Sequence, residues 1–142
     1  MTDITIQLHA PRWKTRLASY RKTVRRAVEA ALGRKSREIA IVLADDKFIR
    51  DLNKTYRGKD KATNVLAFPH EKGGDIVLAL ETIEHEAKEQ GKSLRNHVMH
   101  LVVHGTLHLL GHDHIGKKEA ERMERLEIKT LKKLGVKNPY LS

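Results

Sequence analysis

The run His97-Val-Met-His100-Leu-Val-Val-His104-Gly-Thr-Leu-His108-Leu-Leu-Gly111-His112-Asp113-His114 holds six of the nine histidines in a chain of 142 residues. Between them Val98 to Leu110 is apolar enough for a buried helix, while the histidines interrupt it too often for a membrane span. Ser93 supplies a side-chain oxygen for the orphan amides at the helix start, and Gly111 supplies a stop. The run therefore reads as a central helix from Ser93 through Leu110, and the remaining elements are placed around it.

Residues four apart on a helix share a face with Cβ atoms roughly 5–6 Å apart, a gap that two imidazoles close onto one ion. His104 and His108 have this spacing. His100 is about 12 Å from His108 along the axis, so a third ligand must come from a chain that turns back. Gly111 allows that turn and brings His112 or His114 round to the open side. The spacing His-x-x-x-His-x-x-Gly-x-x-His is that of the extended metalloprotease signature and selects His114, leaving His112 a spectator. Those proteases place a glutamate directly after the first histidine as general base. Here that position is Gly105, which has no group to take a proton, so peptide hydrolysis by that route is excluded. Three neutral imidazoles leave a fourth position open for water, as in a catalytic zinc site. Asp113 is expected to orient a ligand or cap the turn.

Outward from this helix, Ile4, Ile6 and Leu8 alternate with polar residues and predict a strand. Pro11 then starts a helix over Arg12 to Leu32, with Trp13, Leu17, Val24, Val28, Ala31 and Leu32 on its apolar face and Gly33 as its stop. Ile39, Ile41 and Leu43 predict a second strand, after which Asp45 or Asp46 caps a short helix ended by Arg57 and Gly58. Lys59 to Asn64 reads as a loop. Val65 to Phe68 reads as a strand stopped by Pro69, and Gly73 and Gly74 as a turn before a strand over Ile76 to Leu80. Glu81 to Gln90 is a polar helix, and Lys117 to Leu134 a last amphipathic one. The expected fold is one α+β domain: a mixed sheet of about four strands covered by about five helices, with the metal site at the end of the central helix.

The chain is long enough to bury about two-thirds of its unfolded surface without staples. It has no cysteine, which rules out disulfides and thiolate ligands and fits a reducing compartment. Met1 to Ala10 lacks the basic start and apolar run of a secretory signal, so a cytoplasmic location is expected and membrane association is not. The net charge is +10. Between Arg12 and Glu38 there are ten Lys or Arg and only two acids, Glu29 and Glu38. Such a field draws polyanions, nucleic acid first, although a solvated helix face has the same composition. Between Asn53 and Pro69 polar and basic residues crowd a helix end: Arg57 suits bidentate contact with a phosphate, and Asp60 suits anchoring the loop.

That segment, the run Gly74-Asp75-Ile76-Val77, the His104 to His114 signature and the ending Leu134-Gly135 to Pro139-Tyr140 together resemble the YbeY family of bacterial rRNA maturation endoribonucleases over nearly the whole chain. The family's His-Gly-x-Leu-His-Leu-x-Gly-(aromatic)-Asp-His motif is matched at His104, Gly105, Leu107, His108, Leu109, Gly111, Asp113 and His114. Three positions depart from the pattern. His112 stands where the family usually has Tyr or Phe, Asn64 where it usually has Asp, and Ala67 where it usually has Ser. The resemblance implies a zinc-dependent, single-strand-preferring endoribonuclease that acts on ribosomal RNA, in 16S rRNA 3′-end maturation and ribosome quality control. It also implies the ribosome, its small subunit and ribosome-associated proteins as partners, and a role for Arg57 in activity. A different class of function, an RNA-binding ribosome-assembly factor whose metal is only structural, is the alternative that the sequence leaves standing.

Overall fold

A computed structural model describes residues 2–112 and 115–141. Its elements are β1 (Asp3–Leu8), α1 (Arg12–Arg16), α2 (Tyr20–Leu32), β2 (Glu38–Ala44), α3 (Asp46–Arg57), β3 (Val65–His70), β4 (Gly73–Ala79), α4 (Leu80–Glu89), α5 (Leu94–Leu109) and α6 (Lys117–Lys133). The four strands form one sheet in the order β1-β2-β4-β3. β1, β2 and β4 run parallel, while β3 pairs antiparallel with β4. This is the expected mixed α+β architecture.

The period-2 patterns explain the layering. In register, Ile6 faces Ile41 and Ile41 faces Ile76, and Leu43 faces Leu78. These side chains form one row on a single sheet face and join α2, α5 and α6 in the main core. The intervening residues Val42, Ala44, Val77 and Ala79 face the other way and pack with Ile49 and Leu52 of α3. Each fully buried Ile or Leu of the row contributes about 1.5–3 kcal/mol relative to exposure.

Three expectations need correction. The helix over Arg12 to Leu32 is two helices, because Leu17 leaves helical geometry at φ −138° and Ser19 opens α2. The break lets Trp13 donate its Nε1–H to the Ala44 carbonyl at 2.8 Å while Leu17 and Tyr20 both remain buried. Pro69 does not stop β3, since an edge strand can turn the missing N–H toward solvent. Gly73 and Gly74 are not a turn but the first residues of β4. A Cβ on Gly73 would run into the Glu38 backbone, and one on Gly74 would lie 2.6 Å from Leu109 Cδ2, so both glycines mark close approach inside the core.

Helix ends fix the neighbouring connections. Asp45 caps α3 by accepting from Phe48 N at 2.9 Å. Asp46 instead accepts from Thr82 N and Oγ1 of α4, while Glu81 of α4 accepts from Asp46 N. Ser93 accepts from Asn96 N and starts α5 as expected. Gly111, at φ +96°, turns the chain beyond its end.

Gly105 shows why the helix can lie so close to the sheet. A Cβ there would sit 3.2 Å from Ile76 Cδ1 and 3.3 Å from its Cγ2. Gly105→Ala is expected to lower stability by about 1 kcal/mol, the crowding exceeding the gain in helix propensity. Urea unfolding of Gly105→Ala, Ile76→Val and the double variant checks this: the loss caused by the alanine should shrink when Ile76 is already trimmed.

Candidate active site

The cleft beside β3 gathers the chemistry. It encloses about 380 Å³ and is lined by Arg57, Lys59, Lys61, Asn64, His104 and His108, among others. Three elements build it: the C-terminal end of α3 with its following loop, edge strand β3, and the last two turns of α5. Among the described residues no carboxylate lines it. Of the expected site residues, Arg57, His104 and His108 thus lie in one cleft. His114 and Asp113 lie outside the described residues.

The loop is held by named bonds. Gly58, at φ +67°, ends α3, and Lys59 N donates to the Asn53 carbonyl. Asn53 is buried and donates from Nδ2 to the Lys61 carbonyl at 3.0 Å. Arg50 Nε donates to Asp60 at 2.8 Å, the anchoring role that Asp60 suggested. Both groups are exposed, so this pair steers the loop more than it stabilises the protein. Arg57 Nη2 donates to the Ala67 carbonyl at 3.3 Å, and its guanidinium lies 5.8 Å from the Phe68 ring centre. Only one of its five N–H donors is occupied in that bond, so the others can meet an anion.

His104 and His108 stand one turn apart with ring centroids 5.7 Å apart. His104 Nδ1 lies 3.2 Å from Glu127 Oε2, and since a carboxylate only accepts, Nδ1 is the donor; in the neutral imidazole the nitrogen left to take a metal is then Nε2. The pair therefore has the donor chemistry of a metal site.

Sequence reading missed Glu127. It is 1% exposed, at the centre of α6, and meets three groups: His100 Nε2 at 2.8 Å, His104 Nδ1 at 3.2 Å and the Tyr140 hydroxyl at 2.9 Å. Burial works to raise the carboxyl, but the hydrogen bonds from His100 and His104 outweigh it and hold it at about 2. Burial and then the Glu127 charge push the Tyr140 phenol up, so it stays a donor. The signal was available: Met123, Glu127 and Leu131 follow one another at helical spacing, and a carboxylate on an apolar stripe needs partners.

A second, partly buried carboxylate contact lies behind the loop. Glu86 Oε1 of α4 is 2.9 Å from Asn64 Nδ2 and 2.9 Å from His97 Nε2. Burial lowers the His97 imidazole below its ordinary value, against the pull of Glu86. Asn64 thereby ties the loop to α4 and α5, and its amide supplies a donor where an aspartate would set two carboxylates together.

A family model described as Endoribonuclease YbeY matches residues 5–135. The chain belongs to the YbeY endoribonuclease family. The YbeY endoribonuclease of Agrobacterium fabrum is 44% identical, over 97% of this chain and 94% of that relative. That of Parvibaculum lavamentivorans is 43% identical, over 97% of this chain and 84% of its own length. The Methylocella silvestris relative is 53% identical over 72% of this chain, and the match spans 62% of that protein. The solution structure of TM1509 from Thermotoga maritima matches with a TM-score of 0.60 at 25% identity, over 93% of this chain and 91% of that one.

Acid unfolding tests the Glu127 assignment. The unfolded carboxyl takes its proton near 4.5 and the native one only near 2. Its contribution is therefore complete above pH 4.5 and is lost as pH falls from 4.5 toward 2, by about 3 kcal/mol at most. His97 adds an earlier loss: its native imidazole protonates below the ordinary 6.5 of the unfolded chain, so stability declines as pH drops below 6.5. Urea unfolding of metal-free protein from pH 8 to pH 3 should show both limbs, and Glu127→Gln should flatten the lower one.

Proposed function

We propose that this chain is a zinc-dependent endoribonuclease that prefers single strands and acts in the cytoplasm on ribosomal RNA, in maturation of the 16S rRNA 3′ end and in ribosome quality control. One observation carries the reading: a paired-imidazole site and the cations Arg57, Lys59 and Lys61 line the same cleft, and no described carboxylate lines it to repel a phosphodiester. The family name supports RNA as the polymer cut. The small subunit and ribosome-associated proteins are the proposed partners.

His104 and His108 would hold the metal with His114 as third ligand, and when bound the ion supplies Lewis-acid polarisation of a phosphoryl oxygen or a water of lowered pKa. Glu127 fixes the His104 ring and its tautomer. Arg57, seated against Ala67 and Phe68, offers its remaining donors to the scissile phosphate. Gly105 gives no general base, and a side chain there would crowd Ile76.

The basic run is divided by the fold. Arg12 and Arg16 pair with Glu81 and Glu84 of α4 at 3.3 Å each. Lys22 and Arg26 of α2 have no acidic partner among the described residues and, with Arg95 of α5, line a shallow hollow of about 190 Å³. This surface suits the RNA backbone away from the cut. No helix among the described residues is long and apolar enough to cross a membrane.

Cleavage of a 16S rRNA 3′ fragment tests the reading, with metal content and RNA binding recorded on the same samples. Arg57→Ala is expected to lower the rate by about 10²–10³-fold with RNA still bound. Glu127→Gln is expected to weaken zinc affinity by about 10–100-fold. A metal-loaded wild type that binds RNA and never cuts would replace the nuclease with an assembly factor whose metal is structural.

A further inference from the structure

The cleft's cations and imidazoles account for phosphate and metal, but not for Asn64, a neutral amide on the same wall. Its orientation is determined. Glu86 Oε1 lies 2.9 Å from Asn64 Nδ2, and a carboxylate only accepts, so the amide must turn its nitrogen toward Glu86. Glu86 is itself held by the buried His97 at 2.9 Å. The Asn64 backbone carbonyl is occupied too, accepting from Ala79 N at 3.0 Å. What remains is the side-chain carbonyl Oδ1, which accepts no hydrogen bond among the described residues.

A carbonyl oxygen repels a phosphate and needs a donor. Arg57, Lys59 and Lys61 are donors only and suit phosphate oxygens. In a nucleotide strand the donors nearest any phosphate are the ribose 2′-hydroxyls, which are present at every position, whereas base amino groups change with sequence. The 2′-hydroxyl is also what separates RNA from DNA at a given site.

We propose that Asn64, aimed by Glu86, reads the sugar: its Oδ1 accepts the 2′-hydroxyl of a nucleotide whose phosphate lies in the cleft, and so selects ribose over deoxyribose. Asn64 touches substrate and Glu86 acts through it as a positioning residue. This rests on the RNA-cleaving reading above and adds the group that enforces it.

The test is binding, which does not depend on which oxygen attacks. Fluorescence anisotropy on zinc-loaded protein compares single-stranded RNA with DNA of matched sequence, using oligo(U) with its deoxyuridine counterpart and oligo(A) with oligo(dA). RNA integrity is checked by gel after each titration. Wild type should bind RNA more tightly. Asn64→Leu should weaken RNA binding by about 3- to 10-fold and leave DNA binding unchanged. Glu86→Gln, whose amide lets Asn64 turn either way, should narrow the same ratio with Asn64 still present. Thermal melts identify any variant that fails to fold, and Asn64→Ala then replaces Asn64→Leu.

An RNA-to-DNA ratio unchanged in both variants overturns the assignment while the nuclease reading stands. A loss seen with oligo(A) and not oligo(U) overturns it in favour of a base contact. A wild type that binds neither polymer overturns both.

Discussion

The Glu127 carboxylate is the contact on which the site depends. It lies inside the protein, among α5, α6 and Tyr140 of the segment after α6, and accepts from three groups at once. A buried anion without partners would cost several kcal/mol, so the histidines and the phenol are needed as much as they need it. One consequence is structural: α6 and the tail are tied to the central helix. The other is chemical: the same bond fixes which His104 nitrogen faces Glu127.

The rest of the cleft follows from how closely α5 lies on the sheet. Gly105 sits against Ile76, and Gly74 leaves room for Leu109, so the last turns of the helix reach edge strand β3. There the imidazoles meet a loop that α3 delivers, its course fixed by Asn53, Asp60 and Asn64. Charge and geometry then agree. The loop supplies cations, the helix supplies imidazole nitrogens, and the acids Glu81 and Glu84 of α4 hold Arg12 and Arg16 of α1.

Most of the sheet was legible because each strand alternates and one face is buried: Ile4, Ile6 and Leu8, or Ile39, Ile41 and Leu43, can pack only one way. The histidine pair was legible because four residues is one helical turn. What sequence could not show were contacts between distant elements. Gly73 and Gly74 look like a turn until Glu38, Phe68 and Leu109 are seen against them, and Pro69 looks like a stop until β3 is known to be an edge. Arg12 to Leu32 keeps helical period across a break at Leu17 that lets Trp13 reach the Ala44 carbonyl. The partners of Glu127 and Glu86 are 11 to 27 residues away along the chain, so no local pattern names them, although the apolar stripe around Glu127 marks it as a carboxylate that needs some.

The proposed function requires a metal in the cleft with a defined nitrogen toward it. Anomalous diffraction at the zinc edge, from crystals of the zinc-loaded protein, locates the ion directly. One peak is expected in the cleft, bonded to Nε2 of His104 and to His108 and His114, with Glu127 still on the Nδ1 side of His104. A peak on Glu127 or His100, or none in the cleft at full zinc loading, would contradict it.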